Sequence, residues 1–308
     1  MGDLATSACP TRVPGGMEEL ARHYDGFLID QWGVLHDGQR AFPGAARCLR
    51  ELEAMGKVVV LISNSGKRGE RNEARLARLG FARETYAEIL TSGDAVRDAL
   101  RNPPDAFYRS LGPRCFLVSN DDDRSTIQGL AVTAVEDISS ADFILLAGSG
   151  SARLPTDLDA LWAVALARRL PLVCANPDCT RFVDGRLVPG SGALARRYEE
   201  LGGLAVYVGK PHPEIYRRCL RTLESRGVRR IVAVGDSLDH DIAGAARMGL
   251  DTVLVTDGIL RDRFEGRSSE AAMLARLGEI VRADGGPWPT WVMSSLNWCR
   301  DTMEQTTP

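Results

Sequence analysis

Lysine is nearly missing from this sequence: Lys57, Lys67 and Lys210 are the three among 38 basic residues, the rest being arginine. Chemistry that needs an ammonium group, a Schiff base for instance, has only those three places to occur. No apolar run approaches the roughly eighteen residues of a membrane span, so no membrane partner is expected. A charged-then-apolar leader is lacking at the N-terminus; Met1 to Thr6 fits the short myristoylation pattern, which arises often by chance. The seven cysteines (Cys9, Cys48, Cys115, Cys174, Cys179, Cys219, Cys299) are odd in number and lack C-x-x-C spacing. That argues against a disulfide framework or zinc site and for a reducing, cytoplasmic location. Cys174 and Cys179 flank Asn176-Pro177-Asp178, with no histidine nearby to complete a metal site. A net charge of −3 lacks the basic surplus of a nucleic-acid binder. No G-x-G-x-x-G joins a strand to a helix, since the run from Gly148 stops short at Arg153, and no Walker loop exists.

What is present is enough apolar material for a core, 44% hydrophobic against 26% charged, in a chain of 308 residues that suits two domains. Short apolar runs recur at Phe27–Ile29, Val58–Ile62, Phe143–Leu146, Leu172–Val173, Val206–Val208, Ile231–Val234 and Thr252–Val255. Between them, Ala45–Leu52, Glu70–Leu79, Leu158–Arg168, Pro213–Leu223 and Asp241–Met248 have the three-to-four spacing of amphipathic helices. Continuous apolar strands alternating with helices predict an α/β fold with a parallel sheet covered on both faces. The segment from Gly285 through Trp288 and Trp291 to Trp298 is aromatic and irregular, either a tail packed on the core or an interface arm.

In an open parallel sheet, ligands bind beyond the carboxyl ends of the strands. The polar residues that follow the apolar runs are Asp30, Ser63 with Asn64, Lys210 and Asp236. Singly, each has an ordinary explanation as a cap, a loop residue or a surface charge. Together they have a chemical use. Two carboxylates suit a hard cation such as Mg²⁺, and a lysine and a hydroxyl can cradle phosphoryl oxygens. One carboxylate can attack phosphorus, giving an aspartyl-phosphate that water hydrolyses.

These segments resemble the four motifs of class IIA hydrolases of the haloacid dehalogenase superfamily. The first is Phe27-Leu28-Ile29-Asp30-Gln31-Trp32-Gly33-Val34-Leu35-His36-Asp37-Gly38, and the second Leu61-Ile62-Ser63-Asn64-Ser65. The third is Val208-Gly209-Lys210-Pro211-His212-Pro213, and the fourth runs from Val234-Gly235-Asp236 to Asp241-Ile242. Thr91-Ser92-Gly93 and Ala175-Asn176-Pro177-Asp178 are also similar to that group. The resemblance implies a Rossmann-like core of residues 24–92 and 207–308, after an N-terminal extension of 1–23. It also implies an α/β cap inserted at 93–206, through which such proteins often dimerise. The implied activity is that of an Mg²⁺-dependent phosphatase acting on a small phosphorylated metabolite, either a sugar phosphate or an aryl or acyl phosphate. Asp30 would be nucleophile and metal ligand, joined by the Trp32 carbonyl and Asp236. Ser63, Asn64 and Lys210 would bind the phosphoryl group, and Asp241 would brace the metal site. Asn176 and Asp178 would either contact substrate or merely shape a turn.

One departure stands out. Phosphatases of this type have a second Asp two residues after the nucleophile as general acid, and here that position is Trp32. Losing such an acid costs on the order of 10²–10⁴-fold. Either His36, Asp37 or Asp241 stands in, or the leaving group needs no acid, or the protein binds phosphometabolites without turning them over. His36 also has readings as a substrate contact or a hydrogen-bonded loop residue. C–P cleavage would want a lysine in the cap, where none falls, and dehalogenation would not need Lys210 and Asp236 together.

Overall fold

The computed structural model describes residues 10–150, 158–183, 186–266 and 269–299; the Met1–Thr6 run lies outside them. The strands are β1 (Gly26–Asp30), β2 (Val58–Ser63), β3 (Glu88–Thr91), β4 (Arg114–Val118), β5 (Thr133–Val135), β6 (Phe143–Leu146) and β7 (Leu172–Cys174). They continue as β8 (Thr180–Val183), β9 (Arg186–Pro189), β10 (Ala205–Tyr207), β11 (Ile231–Gly235), β12 (Asp251–Val255) and β13 (Trp291–Met293). One sheet has the order β13-β12-β11-β1-β2-β3 and a second β10-β7-β6-β4-β5, with β8 and β9 forming an antiparallel hairpin. The expected α/β class, with parallel sheets, is what the chain adopts.

The chain divides into two compact units: Met1–Leu61, Arg75–Glu88 and Cys219–Pro308 in one, Ile62–Ala74 and Ile89–Arg218 in the other. In the first unit β1 and β11 are buried along their whole length. That double-sided burial is the reason both read as unbroken apolar runs. The helix Ala45–Ala54 buries Ala45, Cys48, Leu49 and Leu52, one stripe at the spacing of the helical turn. Of the two readings of the aromatic C-terminal segment, packing on the core is the one observed, with Trp291, Val292, Met293 and Leu296 buried. Trp291–Met293 pairs parallel with β12 as the edge strand, and Arg12 bridges to Trp291 from the other side.

In the second unit, the side chains of the five-stranded sheet alternate between two cores. Phe116, Val118, Ile144, Leu146, Leu172 and Cys174 join Trp162 and Tyr198 on one face. Cys115, Leu117, Phe143, Leu145 and Val173 join Val96 and Tyr108 on the other. The period of two puts neighbouring residues on opposite faces, and both faces are apolar. The helix Ser92–Arg101 begins at Thr91 with a reciprocal capping box to Asp94, the role the Thr91-Ser92-Gly93 run plays here. Among the described residues, no helix is long and apolar enough to cross a membrane.

Candidate active site

In the first unit, Asp30 ends β1 and Asp236 directly follows β11. The two strands are parallel neighbours, with Ile29 paired to Val234. Asp241 arrives by a different route. A π-helical turn over Leu238–Ile242, with Ile242 N donating to Ser237 O at 3.1 Å, swings its side chain back to the strand ends. Asp30, Asp236 and Asp241 are buried, and each offers an oxygen within 4.8 Å of the others. Space for this is made by Gly33, whose φ of +81° suits glycine and where a Cβ would lie 1.8 Å from Asp236 Oδ2. The same oxygen accepts a hydrogen bond from Ile259 N at 2.7 Å, and Asp241 Oδ2 accepts one from Ser237 N at 3.2 Å. Like charges this close in a poorly hydrated place repel strongly. An all-oxygen donor set of this kind fits a hard divalent cation such as Mg²⁺ or Ca²⁺.

Two residues beyond Asp30, the Trp32 side chain is 41% exposed. The benzo edge of its indole lies over Gly38, and its ring meets His36 edge-on at 5.2 Å with the Arg75 guanidinium at 5.3 Å. His36 is fully buried and accepts a hydrogen bond from Gly38 N at Nδ1, 3.0 Å, while its Nε2 has no partner among the described residues. Burial first, and the Arg75 charge second, push His36 down to about 4. Its imidazole is therefore neutral at neutral pH. Asp37 Oδ1 accepts from both Gln39 N and Arg40 N, at 2.8 and 2.7 Å, and these backbone donors hold its carboxyl below the usual range. At neutral pH neither residue is in the acidic form that protonates a leaving group.

Asp257 escaped the sequence reading. It lies half-buried just past β12, and burial raises its carboxyl above the usual range against the opposing charge of Arg261. The signal was its place after the Thr252–Val255 run, masked by the intervening Thr256.

In the second unit, Lys210 follows β10, a strand of the five-stranded sheet. It differs in this from Asp30 and Ser63, which end strands of the six-stranded sheet, and from Asp236, which follows one. Lys210 is buried, and its main chain is fixed by one side chain. Asn64 Oδ1 accepts from Lys210 N at 2.7 Å, and Asn64 Nδ2 donates to Lys210 O at 3.1 Å and to Asp178 Oδ1 at 2.7 Å. Both amide donors are thereby engaged. Gly209, at φ +124°, lets the chain pass, since a Cβ there would sit 2.2 Å from Ser92 Oγ and 2.6 Å from Asn64 Oδ1. Asn176 Oδ1 accepts from Asp178 N at 3.0 Å, closing a turn that aims Asp178 at Asn64. Ser63 is buried, and its Oγ accepts from Ser65 N at 3.2 Å.

Family models place these segments. A haloacid dehalogenase-like hydrolase model matches residues 27–133, and a second, HAD-hydrolase-like model matches 207–279. Human chronophin is 30% identical over 273 residues, covering 82% of this chain and 88% of that protein. The chain belongs to the haloacid dehalogenase-like hydrolases. With relatives named as phosphatases, ribonucleotide monophosphatase NagD of Escherichia coli among them at 30% identity over 75% of this chain and 87% of that protein, this hydrolase is an enzyme of the phosphoric monoester hydrolase type. A haloacid dehalogenase-like family hydrolase from Brucella suis has the same fold, with a TM-score of 0.75 at 30% identity, covering 92% of this hydrolase and all of that chain. Glycerol phosphate phosphatase from Mycobacterium tuberculosis, solved in complex with magnesium, shares the fold at a TM-score of 0.64 and 23% identity. That match covers 90% of this hydrolase and 76% of that chain.

Proposed function

We propose that the chain is a magnesium-dependent phosphatase that cleaves a small phosphorylated metabolite through an aspartyl-phosphate on Asp30. The observation that carries this is the approach of Asp30, Asp236 and Asp241 within 4.8 Å at the carboxyl ends of adjacent parallel strands. Mg²⁺ held by Asp30, Asp236 and the Trp32 carbonyl, with Asp241 as brace, would screen the repulsion between an attacking carboxylate and a phosphate dianion. One oxygen of Asp30 forms a bond to phosphorus as the bond to the leaving oxygen breaks with its electron pair. Water then attacks the phosphorus of the acyl phosphate, releasing inorganic phosphate and restoring the carboxylate. Ser63 and Lys210 are assigned to the phosphoryl oxygens. Asn64, with its amide donors engaged on Lys210 and Asp178, is assigned to holding Lys210 rather than touching substrate. Residues 93–206 are assigned as the substrate-selecting cap.

The leaving group follows from the Trp32 loop. His36 is neutral and Asp37 ionised at neutral pH, so neither replaces the acid that Trp32 displaces, and the third candidate, Asp241, is assigned to bracing the metal. Aryl and acyl phosphates, whose leaving oxygens are stable without a proton, are the favoured substrates. The half-exposed indole would serve as a wall for a flat group. Phosphate release from sugar, aryl and acyl phosphates, with and without Mg²⁺, tests this in wild type and Asp30→Asn. Metal-dependent turnover should fall by about 10³-fold or more in the variant. Trp32→Asp should raise turnover of alkyl phosphates about tenfold or more relative to p-nitrophenyl phosphate. An unchanged ratio would discard the leaving-group assignment.

The same loop favours a second reading, a phosphometabolite-binding protein with little turnover. In that case every substrate would be inert while some raise the melting temperature in the presence of Mg²⁺.

A further inference from the structure

The opposite edge of the six-stranded sheet, where its strands begin, carries a cleft of about 460 Å³. Ile231, Asp251 and Trp291, at the starts of three strands, line it together with Arg12, Arg229 and Arg230. Strand β11 runs from this cleft to the carboxylates, a distance of about 15 Å for five residues at the rise of an extended chain. The cleft is therefore separate from the candidate active site.

Its charge balance is unusual for a chain of net charge −3. Arg230 is neutralised by a two-point pair with Asp25, at 2.8 and 2.9 Å. Asp251, the acid in the lining, is already bonded to the Tyr24 hydroxyl at 2.7 Å and to Thr290 Oγ1 at 3.2 Å. Arg12 and Arg229 have no carboxylate partner among the described residues.

Arg12 is nonetheless held in place. Its guanidinium stacks 3.9 Å from the centre of the Trp291 ring, and its main chain is bonded to Thr290 and Val292. The Trp291 indole N–H donates to the Tyr24 hydroxyl at 3.0 Å, fixing the ring. Burial first pushes Tyr24 up to about 12, so that hydroxyl stays neutral and adds no competing charge. The His23 ring stands 5.8 Å from Trp291 on the same rim. Arg12 and Arg229 outnumber the single charged acid of the lining, Asp251, and with one of them preplaced on an aromatic ring they match the planar two-point recognition of phosphate oxygens.

We infer that this cleft is a second anion site, which takes a phosphate dianion, free or borne by a small metabolite, through Arg12 and Arg229. The test titrates inorganic phosphate and pyrophosphate into the full chain without metal, by calorimetry and by tryptophan fluorescence, which Trp291 reports. Arg229→Ala removes an exposed side chain with no partner, so the fold is kept. It should weaken one binding event by about tenfold or more, as should Arg12→Ala. Lys210→Ala should leave that event in place, and raising the salt concentration should weaken it. Turnover by Arg229→Ala, measured before phosphate accumulates, should equal wild type. Overturning results are no binding at millimolar anion, or a single event that Lys210→Ala abolishes and Arg229→Ala does not change.

Discussion

The first unit gathers three carboxylates within 4.8 Å, and the second gathers its polar residues around one neutral amide, that of Asn64. The two arrangements solve opposite problems. Three acidic groups brought this close suit a hard cation between them. An amide whose donors are met by Lys210 and Asp178 is complete without any ligand and gives rigidity. The first should respond to metal, and the second should hold its shape whether or not metal is present.

The sharpest way to break that contrast is at Asn64. Asn64→Ala strips partners from Lys210 N, Lys210 O and Asp178, and should cost about 2–4 kcal/mol by urea denaturation, equally with and without Mg²⁺. Asn64→Asp should be at least as damaging, because it would face Asp178 with a second carboxylate. A cost that Mg²⁺ removes would show that the amide belongs to the metal site after all.

The next effect concerns His36, which is neutral in the fold and shifted from 6.5 to about 4. Between those values the unfolded chain binds a proton that the folded chain refuses. Stability is therefore full above pH 6.5 and declines as pH falls toward 4, by up to about 3 kcal/mol. In metal-free protein, His36→Gln should flatten that part of the stability–pH curve; an unchanged slope would reject the neutral, buried state.

The smallest expected effect is also the most diagnostic. Asp236→Asn removes one of the three carboxylates and should abolish the rise in melting temperature that Mg²⁺ gives the wild type, a few degrees or about 1 kcal/mol. A variant that Mg²⁺ stabilises as much as the wild type would place the ion elsewhere.

The carboxylate site was largely legible in the sequence because strands buried on both faces appear as apolar runs, and the residue ending each run falls at one sheet edge. Asp30 and Asp236 needed no more than that. The π turn that returns Asp241 has no such pattern, and its place followed only from resemblance. The Asn64 arrangement was illegible since its partners lie 114 and 146 residues away. Strand β4 starts with an exposed arginine, and β5 is a half-buried edge strand, so neither has a strong apolar run. Strand β13 is short and set among prolines and tryptophans, and pairing with β12 makes it a strand.

The edge position of β13 has a consequence for how the chain is made. The second unit apart from Ile62–Ala74 is continuous from Ile89 to Arg218, so its last strand leaves the ribosome shortly after its first. The first unit is interrupted, and Thr11 Oγ1 must wait for Pro289 O, 278 residues later, while Arg12 waits for Trp291. Synthesis therefore leaves the apolar β1, with Asp30 at its end, without its neighbour β11 for most of translation. A nascent chain halted before residue 231 should bind a chaperone through β1, and one extended past residue 293 should release it.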